Sequence, residues 1–230
     1  MRTANPENIR NDFLAGLVDI KDALIDVTSK GVAAKSRLHV VEYSYLAASI
    51  LLEGFISDLF VAYINKRNGP FVNHIVGKMK IEATDDIAKR AAQFATVDIT
   101  SHLTLDKIRQ ILDPRDWNVS FTTTGELKAK ANLWLDAPFR NYFDNLSAPH
   151  GALLDATKAT RNYLAHRSGA SQKAMQAALI NANLTQGFRR GANQVNSVGS
   201  FLDSTPPGQH QTRLSYYLSE LHAIARQLCP

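Results

Sequence analysis

The segment Arg161-Asn162-Tyr163-Leu164-Ala165-His166 places a permanent cation and a proton carrier five positions apart. Arginine keeps its charge and can fork two N–H donors onto phosphate oxygens. Histidine takes or gives a proton near neutral pH. Together they suit metal-free cleavage of RNA. In that reaction a 2′-hydroxyl attacks the adjacent phosphate, leaving a 2′,3′-cyclic phosphate and a 5′-hydroxyl. His166 is assigned the acid/base work, Arg161 the binding and stabilisation of the phosphorane. Asn162 is placed to hydrogen-bond substrate or to hold His166 in one tautomer. Each residue also has a plainer role. A histidine at a helix end is favoured by the helix dipole, Arg161 suits a surface or interface ion pair, and Asn162 suits a structural bond.

Glu53 is the next candidate, embedded in the apolar run Ile50-Leu51-Leu52-Glu53-Gly54-Phe55. A buried carboxylate needs a partner. Glu53 therefore either pairs with a cation such as Arg161 and orients it, or points outward along a polar stripe. From His150 to Lys173 the fixed charges Lys158, Arg161, Arg167 and Lys173 stand against Asp155 alone. Lys158 and Arg167 are expected to touch an RNA backbone. Arg189 and Arg190, beside Phe188, are expected either to join them, with the aromatic ring open to stacking, or to be solvated loop. His39, His74, His102, His150, His210 and His222 show no metal-ligand spacing, so no metal or cofactor is expected. His150, at a helix start, is expected to face solvent.

In an ideal helix, positions five apart differ by about 140° in direction. One helix therefore does not aim Arg161 and His166 at a single point. A two-fold homodimer would bring two such helices together, with both pairs lining the cleft between them.

The elements that must position these residues are helical throughout. Ile9, Phe13, Leu17, Ile20, Leu24 and Val27 recur every three or four residues and predict an amphipathic helix ending near Lys30-Gly31. A second helix is predicted from about Ala34 to Lys66, antiparallel to the first. Shorter helices are expected at Asp85–Ala95, capped by Thr84, and at Leu105–Leu112, capped by Thr104 and closed by Pro114. Val119–Thr123 is expected to be loop. Helical pattern returns at Glu126–Leu135, and Pro138 opens a short turn through Phe143. His150–Arg167 follows Pro149 and is stopped by Gly169. Ser171 is expected to cap a helix reaching about Ala182. Residues 185–211 are rich in Gly, Asn, Ser and Pro and are expected to form a mobile connection before a last helix, Gln211–Leu228, in which Tyr216 and Tyr217 supply edge and core contacts. The expectation is one all-α domain over 1–230, with 70–124 as an insertion between the halves of a bundle.

Composition agrees with a packed globular chain: 45% of the 230 residues are apolar and 20% charged. The single Cys229 excludes an intrachain disulfide and a thiolate metal cluster, and fits a reducing cytoplasm. No apolar stretch of signal-peptide type follows Arg2. Val40 to Ile64 is apolar but broken by Glu42, Glu53 and Asp58, so it is expected to be a core helix and not a membrane span. A net charge of +5 permits a polyanionic partner. No Gly-rich phosphate loop and no βαβ alternation occur, which argues against nucleotide hydrolases and Rossmann enzymes.

The motif RNYLAHRSG resembles the R-x4-6-H signature of the HEPN superfamily, in particular the stand-alone prokaryotic HEPN ribonucleases. The second helix, SYLAASILLEGFISDLFVAYIN, is similar to the long apolar helix with an embedded acid seen in HEPN proteins of defence loci. The likeness covers that helix and 150–169, and does not extend to 70–124 or the C-terminal tail. It implies a HEPN-type bundle on two long antiparallel helices and a homodimer with a composite active site. It further implies endoribonuclease activity as a toxin or antiviral effector, with an antitoxin or sensor protein as partner. A catalytically silent HEPN module that binds RNA, a nucleotide or a protein stands as the alternative. HEPN toxins silenced by tyrosine modification carry Tyr two places after the His. Here that place holds Ser168, so such an antitoxin is not expected.

Overall fold

A computed structural model describes residues 4–79, 82, 85–93, 95, 102–115 and 117–230; these form helices joined by turns and loops, without a strand among them. Helix α1, Pro6–Ser29, starts where Asn5 accepts a hydrogen bond from the Glu7 N–H at 3.1 Å. It ends at Lys30, and Gly31 turns the chain with φ of 70°. Gly31 suits that turn because it has no Cβ to clash. Helix α2, Ala34–Lys66, then returns antiparallel against α1. The two approach closely at Gly16, where an added Cβ would sit 2.8 Å from Leu51 Cδ1. Phe13 and Phe55 stack across the hairpin with centroids 4.6 Å apart.

The second half of α2 is buried on nearly every side, from Leu59 to Asn65. This is the arrangement expected of a helix that is apolar all round. Although α2 is long and apolar enough to cross a membrane, 67% of its most apolar stretch is buried inside the protein. The surrounding shell comes from helices α3 (Gly69–Val76), α5 (Leu105–Leu112), α6 (Thr124–Trp134) and α7 (Ala137–Asp144). Phe60 sits among Phe121, Trp134 and Phe143, and Tyr63 stacks on Phe139 at 4.3 Å. The 70–124 stretch thus supplies Phe71, Leu103 and Ile108 to the common core. Helix α4 (Asp86–Ala92) buries nothing. Its cap is Asp85, which accepts from the Ile87 and Ala88 N–H groups; Thr84, the expected cap, lies outside the described residues.

Helix α8 (Ala148–His166) opens with Ser147 accepting from the His150 N–H, and Pro149 sits in its first turn, where a missing N–H costs nothing. Its end departs from expectation. The left-handed residue is Arg167, with φ of 49°, and Gly169 is the first residue of α9 (Gly169–Leu179). Ser168, not Ser171, caps α9; Ser171 is the residue whose N–H it accepts, at 3.2 Å. Within 185–211 the chain forms α10 (Val198–Asp203) and buries Phe188, Val195, Val198 and Leu202. Arg37 forks onto Asp203 and fastens α10 to α2. Helix α11 (Arg213–Leu228) closes the bundle, with Tyr217 fully buried against Tyr45 and Tyr216 at the edge. Tyr63 Oη donates to the Leu228 carbonyl at 2.7 Å and Arg10 to that of Cys229 at 2.9 Å, so both long helices grip the C-terminal end.

Candidate functional site

Helix α8 lies across α2, and two acids on one face of α2 meet it. Arg161 Nη2 donates to Glu53 Oε2 at 3.2 Å, and Arg167 Nη2 to Glu42 Oε2 at 2.7 Å. Glu42 and Glu53 are eleven residues apart, three turns, so they project within about 20° of each other. Glu53 thus meets the cation it was expected to need. Its side chain and that of Arg161 are each about 30% exposed. A pair so open to water contributes roughly 0–1 kcal/mol, and its larger effect is to aim the guanidinium. Asn162 assists: its Oδ1 accepts from Arg161 Nη1 at 3.1 Å. Asn162 therefore orients the arginine, not the histidine.

Arg161 lines two adjoining clefts. The inner one, about 70 Å³, has apolar walls that include Leu52, Ile56, Leu127 and Leu154. Its polar floor includes Ser49 and Thr157, beneath which Ser49 Oγ and Tyr217 Oη lie 3.1 Å apart. Burial pushes the phenols of Tyr45 and Tyr217 well above their ordinary range, so both stay protonated. The outer cleft is about 400 Å³, and its walls are Glu53, Lys158 and Arg161 from the helices with Asp113, Arg115, Trp117, Asn118 and Ser120 from the chain between α5 and α6. That volume falls within the range of small-molecule sites, roughly 300–1,000 Å³.

The segment from Val119 to Thr124, which leads into α6, is fastened to α8 and α2 at several points. Asp155 accepts from the Thr124 N–H at 2.7 Å and its hydroxyl at 2.9 Å. Lys158 Nζ donates to the Phe121 carbonyl. The Val119 N–H donates to Ser57 Oγ at 2.9 Å. Lys158, expected to meet RNA, thus reaches the cleft while holding its rim. Sequence reasoning left the chain between α5 and α6 without a role. Its alternation of Asp, Pro, Arg and Trp carries no periodic signal, and its placement depends on distant acceptors.

His166 is exposed at the last position of α8 and lines neither cleft. Arg167 spends its fork on Glu42 and lies over the Tyr163 ring at 5.3 Å. Arg190 is structural: Nε donates to the Gln176 carbonyl and Nη1 to those of Gly191, Ala192 and Asn193. Phe188 is fully buried and stacks on Tyr217, so it offers no face to a base. Arg189 and Arg190 follow α9, which packs against α8, and neither is among the residues that line the two clefts. They do not join the Arg161 cleft. His150, expected to face solvent, is half-buried against α11, with Nδ1 2.8 Å from Gln227 Oε1 and Nε2 3.5 Å from Glu220 Oε2. Among the described residues no group of three or more His, Cys, Asp or Glu is placed to hold a metal ion.

The arrangement can bind an anion at a cation held by two partners, and presents an exposed imidazole at the end of the same helix. No family model, curated protein or solved structure matches this chain.

Proposed function

We propose that the protein is a metal-independent endoribonuclease of HEPN type, acting as a homodimer on RNA in the cytoplasm as a toxin or defence effector. One observation carries the proposal most: Arg161 of the RNYLAH segment is aimed by Glu53 and Asn162 into an open cleft, and His166 stands exposed on the same helix. Arg161 binds a non-bridging phosphate oxygen and stabilises the charge that grows on the phosphorane. His166 takes the proton of the attacking 2′-hydroxyl or returns one to the leaving 5′-oxygen. The bond from the 2′-oxygen to phosphorus forms as that to the 5′-oxygen breaks, leaving a cyclic phosphate.

The separation of His166 from the Arg161 cleft makes two copies necessary. Exposed Tyr43 and Ile50 lie two turns apart on α2, next in sequence and in direction to the Glu42–Glu53 face that meets α8. A second copy seated on that apolar strip would bring its own α8 end to the first copy's cleft. A neutralising protein or a sensor would act most directly by covering the same face.

That same separation favours one rival, a non-cleaving module that binds RNA, a nucleotide or a protein at Arg161. Incubating the protein with mixed RNA in EDTA separates the two. Cleavage with cyclic-phosphate ends, lost in His166→Ala and Arg161→Ala, supports the ribonuclease. Salt-sensitive binding without cleavage supports the module.

A further inference from the structure

Trp117 is the most conspicuous unexplained side chain in the molecule. It is 73% exposed, yet the two residues that follow it are held by hydrogen bonds. Asn118 adopts φ of 120°, and its N–H donates to Asp113 Oδ2 at 2.5 Å. A non-glycine residue in that region stores strain that its surroundings must offset. Val119, next in the chain, is buried and tied to Ser57. The backbone is thus bent immediately after Trp117, which holds the indole outward at the rim of the outer cleft. Arg115 lies over the ring at 5.3 Å, and the ring's exposure leaves surface for a second contact. Lys158 and Arg161 stand on the helical wall of the same cleft.

An aromatic rim facing a cationic wall is the pattern by which single-stranded nucleic acid is held: the base stacks, the phosphate meets the charge. We propose that the outer cleft is a nucleotide subsite for single-stranded RNA, with a base stacked on Trp117 and its neighbouring phosphate at Arg161 and Lys158. The proposal rests on the ribonuclease function and assigns its substrate form: an unpaired strand, since a base within a duplex cannot present its face to the indole. Arg115 pre-positions the ring and adds a cation beside the strand. Stacking tolerates any base, so the subsite fixes strand geometry more than sequence.

The probe is 2′-O-methyl decaadenylate, whose blocked 2′-oxygens allow binding to be measured without turnover. The chain has two tryptophans, and Trp134 is partly buried between Phe60 and Phe71. Fluorescence of the Trp134→Phe variant therefore reports on Trp117, with a fluorescently labelled probe and anisotropy as a second readout on otherwise unaltered chains. Saturable quenching is expected, Trp117→Ala should weaken binding about tenfold or more, and Trp117→Phe should recover most of it. Because Trp117 is exposed, native circular dichroism is expected in both Trp117 variants. No binding by the wild-type chain, or an unchanged Kd in natively folded Trp117→Ala, would overturn the subsite; wild-type cleavage of unmodified RNA by that variant would then leave the ribonuclease standing. Trp117-dependent binding by a chain that cleaves no RNA would keep the subsite and remove the ribonuclease.

Discussion

Mixing Arg161→Ala chains with His166→Ala chains should restore activity that neither possesses alone. Within one α8 the two side chains diverge by about 140° and are separated by roughly 7.5 Å along the axis. The cleft that takes Arg161 is not lined by His166 of the same chain. If each active site draws its arginine from one protomer and its histidine from the other, a mixed dimer holds one intact site and one doubly defective site. Random pairing makes half the dimers mixed, and each of those keeps one site of two, so about a quarter of wild-type sites return. Loss of the general acid/base alone should lower the rate by about 10²–10⁴, and loss of the phosphate-stabilising cation by about 10²–10³. Recovery to a quarter is then at least twentyfold above either background. The assay is initial-rate cleavage of a quenched fluorescent RNA in EDTA, after denaturing and refolding the mixture so that subunits exchange. A mixture no more active than the better single variant, although native mass spectrometry shows mixed dimers, would refute the composite site.

Glu53→Gln keeps a hydrogen-bond acceptor for Arg161 but removes the opposing charge; cleavage should fall about threefold to fivefold with dimer mass unchanged, as expected for a half-exposed pair. Gly199→Ala would set a Cβ 2.7 Å from the Leu38 carbonyl oxygen and lift α10 from α2. A cost of about 1–3 kcal/mol should lower the Tm of a chain this long by roughly 2–12 °C in calorimetry. The Thr122 hydroxyl and N–H hold Glu126 below the usual carboxylate range, and Arg67 does the same for Asp136. Carboxylates depressed in the folded state stabilise it above their unfolded pKa of about 4 and lose that contribution as pH falls through the folded value. The double variant Glu126→Gln, Asp136→Asn should therefore show a shallower fall in Tm below about pH 4 than the wild type; an equally steep fall would show that other groups set the acid limb.

The long elements were legible because burial repeats in them with the helical period. Phe13 and Leu17 in α1 announce a core-facing stripe, while the acid inside the apolar run of α2 left a cation partner and an outward polar stripe both open, and the structure pairs it with Arg161. Capping was less legible where two serines stand three apart. Ser168 and Ser171 are equally good caps by type, and the choice falls to Ser168 because Arg167, an unlikely left-handed residue by composition, is held there by Glu42 and by its N–H to the Tyr163 carbonyl. Helix α10 was not legible at all. Its six residues sit amid Gly, Ser and Asn, and they are fixed by Arg37, Leu38 and Glu42 from more than a hundred residues away. The cleft rim escaped notice for the same reason: Trp117 looks like any exposed aromatic until Asp113 and Ser57 are seen to hold the two residues after it.

The three-turn interval between Glu42 and Glu53 makes α2 a ruler as well as a core helix. One inserted or deleted residue between them would swing one acid by about 100° relative to the other, so Arg161 and Arg167 could not both be met. Helix α4, which buries no side chain, imposes no such interval on its own length. Divergent descendants of this chain should therefore differ in length around α4 and keep eleven residues between the two acids, a pattern that length variation alone would reveal.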